Sequence, residues 1–302
     1  MKKHAEIVSV IGLVLVLLFF AGCKTVPSAA AMADPVDFLP DDADIYFRIE
    51  ASENKTLLNA VVEKFVPAMA ESDRTKLINM LHTVYVAQNT ETKQIFVAAT
   101  GSFPNLKSLA FTKKNGWKEI KNNMSWAVPG DTSGKRIKTS YIQYVHDSGM
   151  EIAFPEKNLV FFSNGSIIKM QDKHVHCMIH GELEHVDVFP DSSSSKSIAF
   201  CIKEPKMNTL GLSILNTLIG NVYLLQGDAG IIPLTESVAE KPEQIYSVNC
   251  TVTLKEKRAL VPVRLLISKA TGVEAETAED GTLIIKDFLI EEEKLLSYFI
   301  GG

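Results

Sequence analysis

The sequence predicts an α+β fold, with antiparallel sheets carrying helices packed on one face, and three observations carry that prediction. Short apolar stretches of period two recur along the chain and are separated by turn residues, as strands are. A few stretches of helical period stand among them, and mixtures of this kind fold as helices laid on an antiparallel sheet. The pattern after residue 196 also echoes the pattern after residue 43, which suggests an internal duplication of a strand–helix–sheet unit. Composition agrees: of 302 residues 46% are hydrophobic and 22% charged, with a net charge of −5. Such a chain can bury a core, is not disordered or collagenous, and lacks the basic balance that nucleic acid demands.

Taken in order, residues 1–22 read as a secretory signal peptide. Lys2 and Lys3 precede an apolar run from Ile7 to Phe20, and Ala21-Gly22 closes it with small residues before Cys23. Phe20-Ala21-Gly22-Cys23 matches a bacterial lipobox, apart from Phe where Leu is usual. Cys23 is then the lipidated N-terminus, carrying palmitate-type acyl chains, and two or more such chains anchor a protein stably. Lys24 follows. In the sorting rule of enteric lipoproteins an Asp there retains a protein at the inner membrane, so Lys24 points to the outer membrane; inner-membrane anchoring stays open for bacteria that obey other rules. Residues 23–38 are the anchor and a tether rich in Ala and Pro.

An N-terminal half over residues 39–189 and a C-terminal half over residues 190–302 follow. Asp44 to Glu50 alternates and reads as a strand. Asn54 to Val66 places Leu57, Leu58, Val61, Val62 and Phe65 at helical spacing. A second helix is expected from Ser72, as its cap, to about Tyr85. Gln94 to Thr100 is a strand, a short helix is expected around Leu106 to Phe111, and Ser140 to Val145, Met150 to Phe154 and Asn158 to Ser163 are further strands. Pro190 to Ser195 is a linker. Ser197 to Ile202 then echoes Asp44 to Ile49, Leu210 to Leu225 takes the place of the first helix, and Gln244 to Leu254 pairs with Ala259 to Ser268 as strands. Gly272-Val273-Glu274 with Leu283-Ile284-Ile285 echoes Gly149-Met150-Glu151 with Leu159-Val160-Phe161. Of the thiols beyond Cys23, Cys177, Cys201 and Cys250, the pair Cys201 and Cys250 is the better matched for a bridge, and free buried thiols are an equal alternative.

No nucleotide-binding glycine loop, G-x-S-x-G or H-E-x-x-H stands in the chain, and the expectation is that it is not an enzyme. Glu291 to Glu293 open a helix, where acidic residues suit its positive end. Two features do bear on function. His174, His176, His180 and His185 place four of the seven histidines within twelve residues. Read as a strand, the segment puts His174, His176 and His180 on one face, a set that suits zinc or copper. The other feature is amphipathicity. Met207 to Gly227 has no charged residue. As a helix it gathers Thr209, Ser213, Asn216 and Gly220 on one stripe and covers the rest with Leu210, Leu212, Ile214, Leu215, Leu218, Ile219, Val222 and Leu225. Leu295, Leu296 and Phe299 repeat the theme near the C-terminus. Helices so apolar are either buried or pressed into something apolar.

The lipobox, Phe38-Leu39-Pro40-Asp41-Asp42-Ala43-Asp44-Ile45-Tyr46, Gly101-Ser102-Phe103-Pro104 and Leu159-Val160-Phe161-Phe162-Ser163-Asn164-Gly165 together resemble lipoproteins of spirochaetes, treponemal ones in particular. That resemblance implies an outer-membrane lipoprotein facing the periplasm with membrane-interacting amphipathic helices, and it brings no catalytic residues. Three readings follow. The first is a lipid-anchored protein whose apolar helices contact the bilayer or a lipid-like ligand. The second is a periplasmic binding or assembly protein whose helices are purely structural. The third is a zinc or copper binder through His174, His176 and His180. The protein partner, if there is one, is not legible.

Overall fold

The computed structural model describes residues 33–67, 69–103, 111–113, 116–127, 136–189, 197–205, 220–232 and 244–300. Cys23, the linker Pro190 to Ser195, the short helix expected around Leu106, and Leu210, Leu212, Ile214, Leu215, Leu218 and Ile219 lie outside the described residues. A 3₁₀ turn over Pro35–Phe38 starts the described chain. The first half continues with β1 (Ile45–Glu50), α1 (Lys55–Phe65), α2 (Glu71–Met80), β2 (Leu81–Asn89), β3 (Gln94–Gly101), β4 (Trp117–Ala127), β5 (Arg136–His146), β6 (Glu151–Glu156), β7 (Leu159–Ser163) and α3 (Ile168–His180). The second half holds β8 (Ile198–Lys203), β9 (Val222–Ile232), β10 (Ile245–Leu254), α4 (Leu260–Thr271), β11 (Glu276–Thr277), β12 (Leu283–Glu291) and α5 (Glu292–Ile300).

Among the described residues twelve strands join one sheet, in the order β11-β12-β10-β9-β8-β1-β2-β3-β7-β6-β5-β4, and each neighbouring pair is antiparallel. The α+β class is therefore as the sequence predicts. The two halves meet edge to edge where β1 pairs with β8, centred on Phe47 opposite Phe200. Read outward from that seam, β1-β2-β3-β7-β6 on one side has the connectivity of β8-β9-β10-β12-β11 on the other. A duplication leaves this pattern. The halves differ between their third and fourth matching strands, where the first has the β4–β5 hairpin and the second has α4.

Alternation divides the core. Ile45, Phe47, Ile49, Val84, Ala99, Val160, Ile198, Phe200 and Ile202 point to one face, covered by α1, α2 and α5. Tyr46, Tyr85, Ala87, Phe96, Ala98, Phe161 and Cys201 point to the other, covered by the 3₁₀ turn, α3 and the chain from Leu183 to Phe189. Helices thus lie on both faces of a single sheet, where one face was expected. Cys201 and Cys250 cannot bridge. Cys201 stands opposite Tyr46 on the second face, whereas Cys250 stands opposite Gly227 on the first. Cys201 and Cys250 are free thiols, and Cys177 is a buried thiol of α3. Burial pushes the Cys201 thiol up to about 11 and the Cys250 thiol up to about 12, so both stay protonated and unreactive at neutral pH.

Several local readings change. The second helix ends at Met80, because from Leu81 the β-branched and aromatic run Thr83-Val84-Tyr85-Val86 fits a half-buried strand better than a helix. Ala70, not Ser72, is its N-cap, and Glu71 and Asp73 supply acidity to its first turn. Ala259 to Ser268, expected as a strand, is the 3₁₀ turn and α4: Ala259, Leu260, Val263 and Ile267 pack on the sheet at helical spacing, Pro262 falls in the tolerated first turn, and Gly272 ends the helix at φ 73°. Val222 and Leu225, expected on an apolar helix, are strand residues of β9.

Gly227 is required by close approach. A Cβ there would lie 2.2 Å from the Asn249 carbonyl oxygen and 2.7 Å from both Cys250 Cβ and Phe200 Cζ. Gly227→Ala should therefore destabilise the protein by about 1–3 kcal/mol through overpacking, read as a lower midpoint in urea.

Candidate functional site

Among the described residues the first face of the sheet is incompletely covered. α1 is amphipathic and buries Leu57 and Leu58, and the chain leaves it at Val66-Pro67 before α2. Beneath these helices is a cavity of about 130 Å³. Its floor is Ile49 of β1, Val84 and Val86 of β2, Ile95, Val97 and Ala99 of β3, and Val160 and Phe162 of β7. Its roof is Leu58, Val61, Val62 and Phe65 of α1, Val66, Met69 and Leu77, and its end wall is Phe111, Trp117 and Ile152. Every lining side chain is apolar. Val61, Val62, Phe65, Val86 and Val97 are only half-buried, so the cavity reaches the surface. Phe111 packs edge-on to Trp117 and stacks on Tyr144, which holds the aromatic wall in place. An apolar space of this size has nothing to hold water by hydrogen bonds; it stays dry and accepts apolar matter.

The predicted apolar residues fall into three groups. Leu295 is 7% exposed and Leu296 half-buried, both packed in the first-face core through the contact of α5 with α1. The Phe299 side chain and the six leucines and isoleucines from 210 to 219 lie outside the described residues. Val222 and Leu225 are core residues of β9. The sequence reading missed α4. Val261 and Leu265 are 56% and 62% exposed, one turn apart on its outer side, with Lys257, Arg258, Arg264 and Lys269 around them. The basic turn Lys255 to Arg258 ahead of an apolar run was the available signal, hidden by β-branched residues that suggested a strand. Among the described residues no helix is long and apolar enough to cross a membrane.

The histidines do not form the expected three-ligand face. Their segment is the helix α3, in which Met170, Gln171, His174, Val175 and Cys177 turn inward. His174 is 2% exposed, its Nε2 is 3.0 Å from Glu156 Oε1, and its ring packs on Phe38 and Phe161. His176 and His180 face solvent instead. A helix advances about 100° per residue, so residues two apart diverge whereas residues four apart align. His185 is tied to Asp37, whose carboxylate also accepts the Val186 and Asp34 amides and so clasps the start of the fold to the second-face chain. Among the described residues no three His, Cys, Asp or Glu side chains gather closely enough to hold a metal ion.

Comparison with known proteins agrees with this architecture. Three solved crystal forms of TP0453 from Treponema are similar in fold. Form I has a TM-score of 0.62 at 18% identity, over 89% of this chain and 97% of that one. Form IV has 0.59 at 18%, over 90% and 98%, and form III 0.59 at 16%, over 89% and 99%. No curated protein matches the sequence. The family model described as outer membrane-associated lipoprotein TP0453 matches residues 30–296. On that match, which takes in both halves of the sheet, the chain belongs to the TP0453 family of outer membrane-associated lipoproteins.

Proposed function

We propose that this protein is held to the outer membrane by acyl chains on Cys23, faces the periplasm, and takes the apolar part of a lipid-like ligand into the cavity beneath α1 and α2. The dry, wholly apolar cavity that reaches the surface carries this reading. A folded protein does not retain such a space without cost, since empty volume forfeits packing contacts. Its size suits a ring or a few methylenes, so it would hold one segment of an acyl chain rather than a whole lipid. The ten residues from Lys24 to Ala33 follow Cys23. Fully extended they span at most about 35 Å, so the cavity would stay near its source of lipid.

The exposed Val261–Leu265 ridge of α4 supports a second, weak contact with the bilayer. An apolar ridge with a basic margin is the pattern of a helix lying at an anionic lipid surface. A tether turns such a contact into an intramolecular one and raises its occupancy. The experiment is flotation of residues 24–302, made without the lipid anchor, with vesicles of phosphatidylcholine and phosphatidylglycerol. The unlipidated protein should float, and Leu265→Glu should reduce the bound fraction at least fivefold at an unchanged melting temperature. Equal flotation of this variant would remove α4 from the proposal and leave the cavity reading standing.

A further inference from the structure

We propose that His176 and His180 form an exchangeable binding site for a borderline transition-metal ion, Cu²⁺ above all, on the outer side of α3. The two residues are one turn apart in the same helix, both exposed, with ring centroids 4.2 Å apart and planes 33° from parallel. Two imidazoles at this spacing on one helix face are the chelating half of a helical metal site, because a single ion can draw a nitrogen from each ring. The helix backbone is already ordered, so only side-chain torsions are fixed on binding. Gly181, in the left-handed conformation at φ 79°, closes the helix directly after His180 and keeps the last turn regular.

The surrounding charge suits a cation. Asp172 lies one turn before His176 on the same exposed side. The two nearby lysines of the helix are directed elsewhere: Lys169 Nζ is 2.7 Å from Asp42 Oδ2, and Lys173 Nζ is 2.6 Å from Asp41 Oδ1. His174 does not take part, because Glu156 and two aromatic rings hold it inside. With two protein ligands and no third among the described residues, the remaining coordination positions belong to water or to a bound molecule. Such a site exchanges its ion readily, and imidazole donors favour Cu²⁺ over Zn²⁺ and Ni²⁺ by the usual order of stabilities. The site is on the opposite side of the sheet from the cavity and does not depend on the proposed lipid function.

The test uses the untagged mature chain and CuCl₂, with affinity from isothermal titration and ligands from electron paramagnetic resonance. One Cu²⁺ per chain with two-nitrogen hyperfine structure is expected. His176→Ala and His180→Ala should each weaken binding at least tenfold, whereas His82→Ala, at an exposed histidine of β2, should leave it unchanged. Helical circular dichroism of each variant should match that of the parent. Binding that persists in the His176→Ala/His180→Ala double variant would overturn the proposal, as would no saturable binding by the parent at 100 micromolar Cu²⁺.

Discussion

Val62→Trp should abolish apolar-ligand binding without unfolding the protein. Val62 is a half-buried roof residue of the cavity on α1, so an indole there can enter the empty space rather than displace packed neighbours. The measurement is titration of an NBD-labelled fatty acid into residues 24–302, together with a thermal melt. Affinity should fall at least tenfold, and the melting temperature should hold or rise by a few degrees, because filling a void restores lost contacts. Ala99→Leu approaches the same space from the floor, where Ala99 is 1% exposed, and should act in the same direction. The pairing of outcomes is what discriminates. Unchanged affinity in both variants would remove the cavity as the ligand site. Lost affinity with a much lower melting temperature would mean overpacking, in which case the second variant decides.

Asn54→Ala should be among the most destabilising polar substitutions in the molecule. Asn54 is fully buried between β1 and α1, and its side chain clasps the two halves together. Its Nδ2 donates to the Glu50 carbonyl at 2.9 Å and to the Ser197 carbonyl, across the seam, at 3.2 Å. Its Oδ1 accepts the Tyr246 hydroxyl at 3.1 Å. Removal deletes three buried hydrogen bonds, each worth about 1 kcal/mol net, although the Ser197 carbonyl keeps the Glu50 amide at 2.8 Å. The loss should total about 3 kcal/mol, which in a chain of this length lowers the melting temperature by about 6–12 °C. Tyr246→Phe is the comparison. Its hydroxyl has one proton to share between Asn54 Oδ1 and Gln244 Oε1, the latter at 3.2 Å, so one hydrogen bond is lost and the cost should be about 1 kcal/mol. Equal effects of the two substitutions would show that Asn54 does not join the halves in the way described.

The strands that pair with sequence neighbours were largely legible. β1, β3, β6, β7, β8, β10 and the start of β12 fall where period-two alternation puts them, because a strand with one or both faces buried must repeat its side-chain pattern every second residue. The duplicated order was legible as well, from the echo of Asp44 to Ile49 in Ser197 to Ile202, since matching patterns fold into matching units. The address segment and its cysteine belong to the sequence reading alone. β4 was missed: Trp117 to Ala127 is mostly polar, and it is a strand because all eleven residues pair with β5. The histidine segment and α4 were misread for a related reason. His, Val and Ile suit strands in isolation, whereas what makes them helical is the inward stripe Met170, His174 and Cys177, or Leu260, Val263 and Ile267, meeting a surface built from distant parts of the chain.

Sequence by itself determined the class of fold, the repeat and the signature of a lipoprotein, because these are written in local periodicity and short motifs. Tertiary structure decided the rest. The choice of face for each helix, the separation of Cys201 from Cys250 and the turning inward of His174 all follow from which strand lies beside which. The cavity is the clearest case, since its walls come from Ile49 to Phe162 and exist only where α1 and α2 fail to cover strands that are neighbours in the sheet but not in the chain. Hydrophobic pattern tells a side chain to leave water; it does not say which other side chains will be there to meet it.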